Sequence, residues 1–371
     1  MKWWKKAIGR IINANLSYSL LFFGCFILTG TEVCGCGSPI LNDTLEQAQL
    51  VKPHPLFSRS DPLELVIYAN FKIVRDDVGD QRSYHPARIV VLNGRDSIEL
   101  ASKIRTRGHF RRDKNNCDFP PLKIKFSSGD SNNSPFKDLK KVKLVAHCKD
   151  RSEKLQDCVF KEYLIYKAYN IIAEESFNVR LAKITYVDED GKYGLITKYG
   201  FFIEDDDDVA ARNGMTVMKV ANIHQKHTDY FKMAKLSLFQ YMIGNTDWSV
   251  PKLHNIVLLS EHVHSPPVVV PFDFDWSGLV NAPYAVPDQV LETADVKQRV
   301  YRGYFRPEED MLTIVELFNE KKDELINLFA EFPFLSVKEK QKCIQYLGEF
   351  YEIINDKRKF KNEIVKAARR K

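Results

Sequence analysis

The segment that decides the fold is GNTDWSVPKLHNI at residues 244–256, followed closely by VVVPFDFDWSG at residues 268–278. The first stretch places Asp247 and Asn255 in a polar loop, and the second places Asp273 directly after an apolar run. NIVLL and VVVPF favour strands, and SEHVHSPP between them has turn composition, so a hairpin is predicted. The first residue of one antiparallel strand lies beside the last residue of its partner. We therefore expect Asn255 and Asp273 at the same end of the hairpin.

Oxygen ligands that converge at a strand end are suited to a divalent metal ion that bridges phosphates. Asn255 and Asp273 are the predicted metal ligands, with Asp275 as an additional one. Asp247 is the predicted catalytic group, because a separate carboxylate can accept a proton from an attacking hydroxyl. The order of helix, polar loop, hairpin and metal-binding Asp is also the order used by protein kinases. His254, in the same loop, is expected to be a hydrogen-bonded structural residue.

The sequence upstream of this loop favours strands. LELVIYANFKIV, PLKIKF and two runs within LAKITYVDEDGKYGLITKYGFFI are predicted strands, and a further hairpin is predicted through Asn93-Gly94. One helix interrupts this region, because residues 156–172 have apolar side chains at helical spacing.

The sequence from Asp229 onward is mainly helical, with further helices predicted near Met311–Phe329 and Val337–Ile354. A β-rich first half with one helix, followed by a helical second half, predicts a bilobal α+β protein. The expected β-rich N-terminal lobe is residues 61–203, and the expected helical C-terminal lobe is residues 204–371.

The two quoted stretches resemble the spore-coat CotH kinase family, whose loop has an Asp-Trp start and an Asn before a Pro-aromatic-Asp-aromatic-Asp segment. The Gly-Asn-Thr-Asp start is also similar to that of HipA-type toxin kinases. Upstream, IRTRGHFRRDKNNCDFPPLKIKF looks like the CotH-type stretch of Arg and Gly that leads into a strand with lysines, and KYGFFIED looks like the strand that ends in Glu before the second lobe. The resemblance therefore covers roughly residues 62–285. It implies a protein-kinase-like fold and ATP with Mg²⁺ or Mn²⁺ as cofactors.

The resemblance also implies cofactor-binding residues in the first half of the chain. Lys123 or Lys125, which lie on one face of PLKIKF, would contact the ATP phosphates. Glu162, on the predicted helix, would hold that lysine. Arg107, in RTRGH, would supply a phosphate-facing cation.

One departure from the kinase pattern concerns spacing. Asn255 comes eight residues after Asp247, whereas protein kinases place the Asn about five residues after the Asp.

Three functions stay open. The first is a kinase that transfers the ATP γ-phosphate to Ser or Thr of an envelope protein. The others are an inactive kinase-fold scaffold lipoprotein, and a metal-dependent nucleotidyltransferase or hydrolase that uses the same acids.

The N-terminus predicts export. MKWWKKAIGR is basic, and Ile11–Thr31 contains no charged residue, which is typical of a signal segment within residues 1–36. Cys36 is the favoured lipidation site of a lipoprotein and Cys25 a weaker one, while an uncleaved membrane anchor or plain secretion are the alternatives. Each alternative places the remainder outside the cytoplasm, and the favoured lipoprotein form places it in the cell envelope, anchored to a membrane. Residues 37–60 are predicted to be a linker.

Charge and cysteine content narrow the partners. The formal net charge is +6, of which residues 1–36 contribute +3 through four Lys and Arg against one Glu. The remaining +3 is too balanced to indicate a nucleic-acid partner.

The four cysteines beyond the leader lack metal-site spacing. Cys117–Cys148 is the favoured disulfide in an oxidising compartment, with Cys148–Cys158 or free buried thiols as alternatives. The acidic run Glu204–Gly214 is expected to cap a helix and stay solvated.

Overall fold

Seven strands in the first half of the chain close into a barrel. The structure, a computed structural model, describes residues 53–127 and 133–370. The strands are β1 (Leu63–Ala69), β2 (His85–Asn93), β3 (Asp96–Thr106), β4 (Leu122–Phe126), β5 (Lys141–Val145), β6 (Val179–Asp188) and β7 (Leu195–Ile203). They follow the order β1-β2-β3-β4-β5-β7-β6 around the wall, and β6 closes the ring by pairing in parallel with β1.

Alternating apolar residues direct one face of each strand into the barrel. In β1, Leu65 and Ile67 are buried, whereas Glu64 between Leu63 and Leu65 is exposed. Leu144 of β5 and Phe202 of β7 enter the same core from the opposite wall. A closed ring leaves no free strand edge for pairing with another chain.

The closed ring was not indicated by the strand pattern alone. The prediction of a chain that combines strands and helices is confirmed, but the seven strands form a barrel rather than an open layer. Closure depends on the parallel β1–β6 pair, in which Leu63 lies beside Ala182. Residues so distant in sequence leave no local signal of their pairing.

One predicted strand was too long. LELVIYANFKIV divides at Asn70, whose side chain accepts a hydrogen bond from the Ile73 N–H at 3.0 Å and caps a short helix, α1 (Phe71–Asp76). An Asn at this position satisfies a backbone donor that has no partner within the helix. The predicted hairpin through Asn93-Gly94 is present between β2 and β3.

The predicted leader, residues 1–36, lies outside the described residues, as does most of the predicted linker at 37–60. Leu56, near the end of that linker, is fully buried in the barrel core. None of the helices in the described ranges has the length and apolar character needed to span a bilayer.

The helix α2 (Glu153–Ile172) lies between β5 and β6 in sequence, where the apolar spacing predicts it. Ser152 caps its first turn by accepting a hydrogen bond from the Leu155 N–H. The helix is buried on nearly all sides, because it packs between the outside of β6 and β7 and the helices of the second half. Because α2 is covered on nearly all sides, its polar residues also face the interior of the protein.

The second half is mainly helical and has its own core. Its elements are α3 (Asp206–Arg212), β8 (Thr216–Met218), α4 (Tyr230–Met242), β9 (Ile256–Ser260), β10 (Val268–Pro271), α5 (Glu308–Glu320), α6 (Lys322–Ala330), α7 (Val337–Asn355) and α8 (Lys357–Phe360), followed by a π-helical turn, Lys361–Lys366. The helix predicted near Met311–Phe329 is divided at Lys321. Buried residues of α2, α4 and α5 to α7 form one apolar cluster, separate from the barrel interior.

Candidate active site

The predicted hairpin is present, and it brings two candidate ligands to one end. β9 and β10 pair in antiparallel fashion, with Pro271 beside Ile256. One residue further on, the Phe272 N–H donates to the Asn255 carbonyl at 3.1 Å. Asn255 therefore lies next to the residue that precedes Asp273.

The long loop closes by forming a small turn of its own. Ser249 and His254 exchange two backbone hydrogen bonds, each of 3.0 Å. The residues between them, Val250–Leu253, turn outside this bridge, with the Leu253 N–H donating to the Val250 carbonyl at 3.1 Å. The residues that lengthen the loop therefore form this separate turn. As a result, Asn255 lies beside Asp247 although the two are eight residues apart in sequence.

Asp247 is held by two side chains of its own loop. The Asn255 amide donates to the Asp247 carbonyl at 2.8 Å and to its carboxylate at 2.9 Å. His254 Nε2 lies 2.7 Å from the other carboxylate oxygen, so His254 is hydrogen-bonded as expected. Because the amide nitrogen of Asn255 is used in these bonds, its oxygen Oδ1 is the atom left to accept from, or coordinate, another group.

Acidic side chains from two elements meet beside the hairpin end. Asp273 is exposed and adopts a left-handed conformation with φ of 62°, and its N–H donates to the Tyr166 hydroxyl of α2 at 2.8 Å. Asp275 is buried and accepts a 2.8 Å hydrogen bond from Tyr284. Glu162, one helical turn before Tyr166, is buried as well. This backbone hydrogen bond to Tyr166 therefore ties the segment that carries Asp273 to α2.

The pKa values of these acids indicate that they act on one another. Burial raises the pKa of Asp275 to about 7, helped by the charge of Asp273 and a shared hydrogen bond with it, against the opposing effects of Arg111 and Tyr284. Burial also raises the pKa of Glu162 well above its usual value, and the charges of Asp275 and Asp273 raise it further. Carboxylates in such an arrangement favour a proton or a cation among them.

The buried cation in this cluster is Arg111, which the sequence did not single out. It lies in a 3-10 turn, Phe110–Arg112, with its Nη1 3.8 Å from Glu162 Oε2. Its Nη2 donates to the carbonyl of Ala146, just after β5. The signal in the sequence is the consecutive Arg111-Arg112 pair after RTRGH, whereas Arg107 is the residue that the resemblance implies. The charge of Arg107 also acts on Glu162 and opposes the rise in its pKa.

A disulfide anchors the loop that carries Arg111. Cys117, after the 3-10 turn, is bonded to Cys148, after β5, with a Cα–Cα distance of 4.7 Å. This is the pairing favoured from the sequence. Cys158 and Cys343 are free and buried. The bridge fixes the Arg111 loop against the end of β5, whose following carbonyl Arg111 contacts.

Lys123 and Lys125 lie elsewhere on the barrel. Both point to the outside of β4, and Lys123 is paired with Arg105 on β3 and Lys143 on β5. Within residues 53–127 and 133–370, neither lysine forms an ion pair with Glu162, whose basic partner is Arg111. The structure therefore bonds Asp247 to Asn255 and pairs Glu162 with Arg111, and the charges of Asp273, Asp275 and Arg107 act on Glu162, whereas the two lysines belong to neither group.

The candidate ligand set includes an amide. In the part of the chain that the structure describes, no group of three or more His, Cys, Asp or Glu side chains is arranged as a ready metal site. Asp273, Asp275 and the Asn255 oxygen would supply part of a Mg²⁺ shell, which typically also contains water and substrate phosphates.

Comparisons with known proteins give no family assignment. No family model matches the chain, and no curated protein matches it. A solved structure of the Golgi casein kinase is 8% identical and has a TM-score of 0.31, with 81% of this chain and 73% of that chain covered. The Golgi casein kinase with Mn/ADP bound has the same TM-score and coverage at 9% identity. Likenesses this weak do not establish a common fold.

Proposed function

We propose that this chain is a metal-dependent phosphotransferase of the CotH-like kinase class, which transfers the γ-phosphate of ATP to Ser or Thr of an envelope protein. The observation that supports it best is the pair of hydrogen bonds from Asn255 to Asp247 at the end of the β9–β10 hairpin, where Asp273 follows β10. These contacts bring a candidate proton acceptor and candidate metal ligands together.

The residues fit a divalent cation. Asp275 and Glu162 have raised pKa values because buried negative charges lack sufficient compensation, and a cation would relieve this repulsion. When bound, Mg²⁺ or Mn²⁺ would offset the charge of the ATP phosphates. Asp273, Asp275 and the Asn255 amide oxygen would hold it.

The other side chains have complementary roles. Asp247, whose side chain is 35% exposed, would orient the substrate hydroxyl and accept its proton. Arg111 and Arg107, whose positive charges act on Glu162, would offset part of the phosphate charge. Glu162 would keep the buried Arg111 in place. Lys123 and Lys125 are not needed for this scheme.

We also propose that the barrel and the helical half are the two lobes of a kinase-like arrangement, since each has its own apolar core. The basic N-terminal segment and the uncharged segment that follows it support an exported protein that a lipid or an anchor holds at the membrane.

The test is phosphate labelling of the purified full chain in detergent, with γ-labelled ATP and Mg²⁺ or Mn²⁺. We expect metal-dependent labelling of the chain or of an added Ser/Thr protein. Asp247→Asn should abolish labelling and retain nucleotide binding. Asp138→Asn is the control, because Asp138 is an exposed aspartate outside the hairpin. Binding without transfer would instead support a scaffold, and release of AMP would support nucleotidyl transfer.

A further inference from the structure

The outside of the barrel carries a concentrated basic face. Six cations lie in two rows across the adjacent strands β3, β4 and β5. Within each row, the cations are paired neighbours on successive strands. The members are Lys103, Lys125 and Lys141 in one row, and Arg105, Lys123 and Lys143 in the other. The modest net charge of the chain conceals this face, because acidic residues elsewhere balance it.

The strand pattern explains why all six point outward. In β4, Leu122 and Ile124 are buried in the barrel, whereas Lys123 is half-buried and Lys125 is exposed. Neighbouring strands lie about 4.8 Å apart, and alternate residues of one strand about 6.8 Å apart. Like charges directly opposite on a sheet destabilise it, so this arrangement is costly unless it binds something.

The pKa of Lys123 reflects this crowding. Burial lowers it, and the charges of Lys141, Lys143 and Arg105 lower it further against the effect of Asp205. The cations of both rows therefore act on one another through space.

One side of the basic face already binds an acidic segment of the same chain. Lys141 lies 3.6 Å from Asp205, and Lys143 lies 2.5 Å from Asp206, both at the start of α3. This contact forms ion pairs with the two cations of β5 only. Among the described residues, Lys103, Lys123 and Lys125 form no ion pair with an acid, although the charge of Asp205 acts on Lys123.

The surroundings narrow the class of anion that fits. The acidic run Asp205–Asp208 borders the face and would repel a broad anionic bilayer or a nucleic-acid duplex. Single-stranded nucleic acids require aromatic stacking platforms. Of the two described rings that contact cations of this face, Tyr84 lies 4.7 Å from Arg105, and Phe177, beside Lys143, is buried and cannot stack on a base. A narrow, extended chain along β3 and β4 avoids the acidic border, and every second side chain of such a chain matches the spacing of the cations.

We propose that the basic face binds an acidic, extended polypeptide segment along β3 and β4, beside the β5 lysines that already pair with Asp205 and Asp206. This inference goes beyond the proposed phosphotransfer and holds whether or not phosphate is transferred. The bound segment presents Asp or Glu at alternate positions. Its carboxylates pair with Lys103, Lys123 and Lys125, whereas Arg105, which also has no ion pair among the described residues, lies over the ring of Tyr84.

The test measures binding of fluorescein-labelled decaglutamate to the full chain in detergent, without nucleotide, by anisotropy. The triple variant Lys103→Gln, Lys123→Gln, Lys125→Gln should bind about tenfold more weakly, which corresponds to about 1.4 kcal/mol. The matched control removes three exposed lysines of the C-terminal helices, as Lys338→Gln, Lys357→Gln, Lys361→Gln, and should bind as the wild type does.

A second variant acts in the opposite direction and so cannot be explained by misfolding. Asp205→Asn with Asp206→Asn keeps a good helix cap but frees Lys141 and Lys143, so decaglutamate should bind severalfold more tightly. Equal binding by the wild type and the triple lysine variant would overturn the proposal. Competition would also overturn the proposal. Thymidylate 20-mers, or micelles doped with phosphatidylglycerol, would then displace the labelled peptide at a lower concentration of negative charges than unlabelled decaglutamate needs.

Discussion

Replacing Asp275 with Asn should make the protein more stable at alkaline pH. Asp275 is buried, and Asp273 shares a hydrogen bond with it, so its charged form is disfavoured in the folded protein. Asn has nearly the same shape, and its amide oxygen can still accept the 2.8 Å hydrogen bond from Tyr284. The substitution therefore removes the ionisation and retains the packing.

The size of the effect follows from the pKa of Asp275, which is raised from 3.8 to about 7. Below pH 4 the carboxyl group is protonated in both the folded and the unfolded chain, so the stability it contributes is fully present. As pH rises from 4 to 7, the unfolded chain releases its proton first, and the folded state loses up to about 4 kcal/mol, at 1.36 kcal/mol per pKa unit. Above pH 7 the loss is complete.

The assay is urea unfolding of the full chain in detergent with a metal chelator, followed by circular dichroism at pH 4 to 8. The unfolding free energy of Asp275→Asn should equal that of the wild type near pH 4 and exceed it by up to about 4 kcal/mol at pH 8. If the two proteins keep a constant difference across this range, the buried, proton-binding carboxyl group is refuted.

Five further variants test the contacts that support the site. Arg111→Met should cost about 3 kcal/mol or more in unfolding free energy, because it leaves a buried acid without its cation; Arg111→Lys should lose less, and equal losses would contradict the pairing. Asn255→Gly permits the left-handed φ of 52° but removes the amide, so labelling should fall at least tenfold at nearly unchanged melting temperature. Gly278→Ala places a Cβ 2.8 Å from backbone of a neighbouring loop and should destabilise by about 1–3 kcal/mol in urea titrations. Cys117→Ser with Cys148→Ser opens a link across 31 residues and should cost about 3–4 kcal/mol; an unchanged urea midpoint would mean that the bridge does not stabilise the fold.

Local patterns were enough to predict the elements around the site. The strand composition on both sides of a turn indicated the β9–β10 hairpin, and helical spacing indicated α2. Antiparallel pairing then required Asn255 and the segment before Asp273 to meet, and they do. These predictions hold because hairpins and amphipathic helices are specified by residues close in sequence.

Contacts between distant segments could not be predicted in the same way. Arg111 reaches Glu162 because a disulfide and a carbonyl after β5 hold its loop, and none of this is encoded in the spacing of the loop itself. The parallel β1–β6 pair is equally non-local. The end of β1 was missed for a local reason, because the Asn70 cap competes with continued strand.

The most direct test of the central claim is the Mn²⁺-dependent binding of a non-hydrolysable ATP analogue to the wild type, Asp273→Asn and Asp138→Asn. Both aspartates are exposed and have left-handed φ values, 62° and 64°, so Asn imposes a similar backbone demand at each position. We expect tight binding by the wild type and Asp138→Asn, and at least hundredfold weaker metal-dependent binding by Asp273→Asn. Equal binding by all three proteins would contradict a metal and nucleotide site at the end of this hairpin.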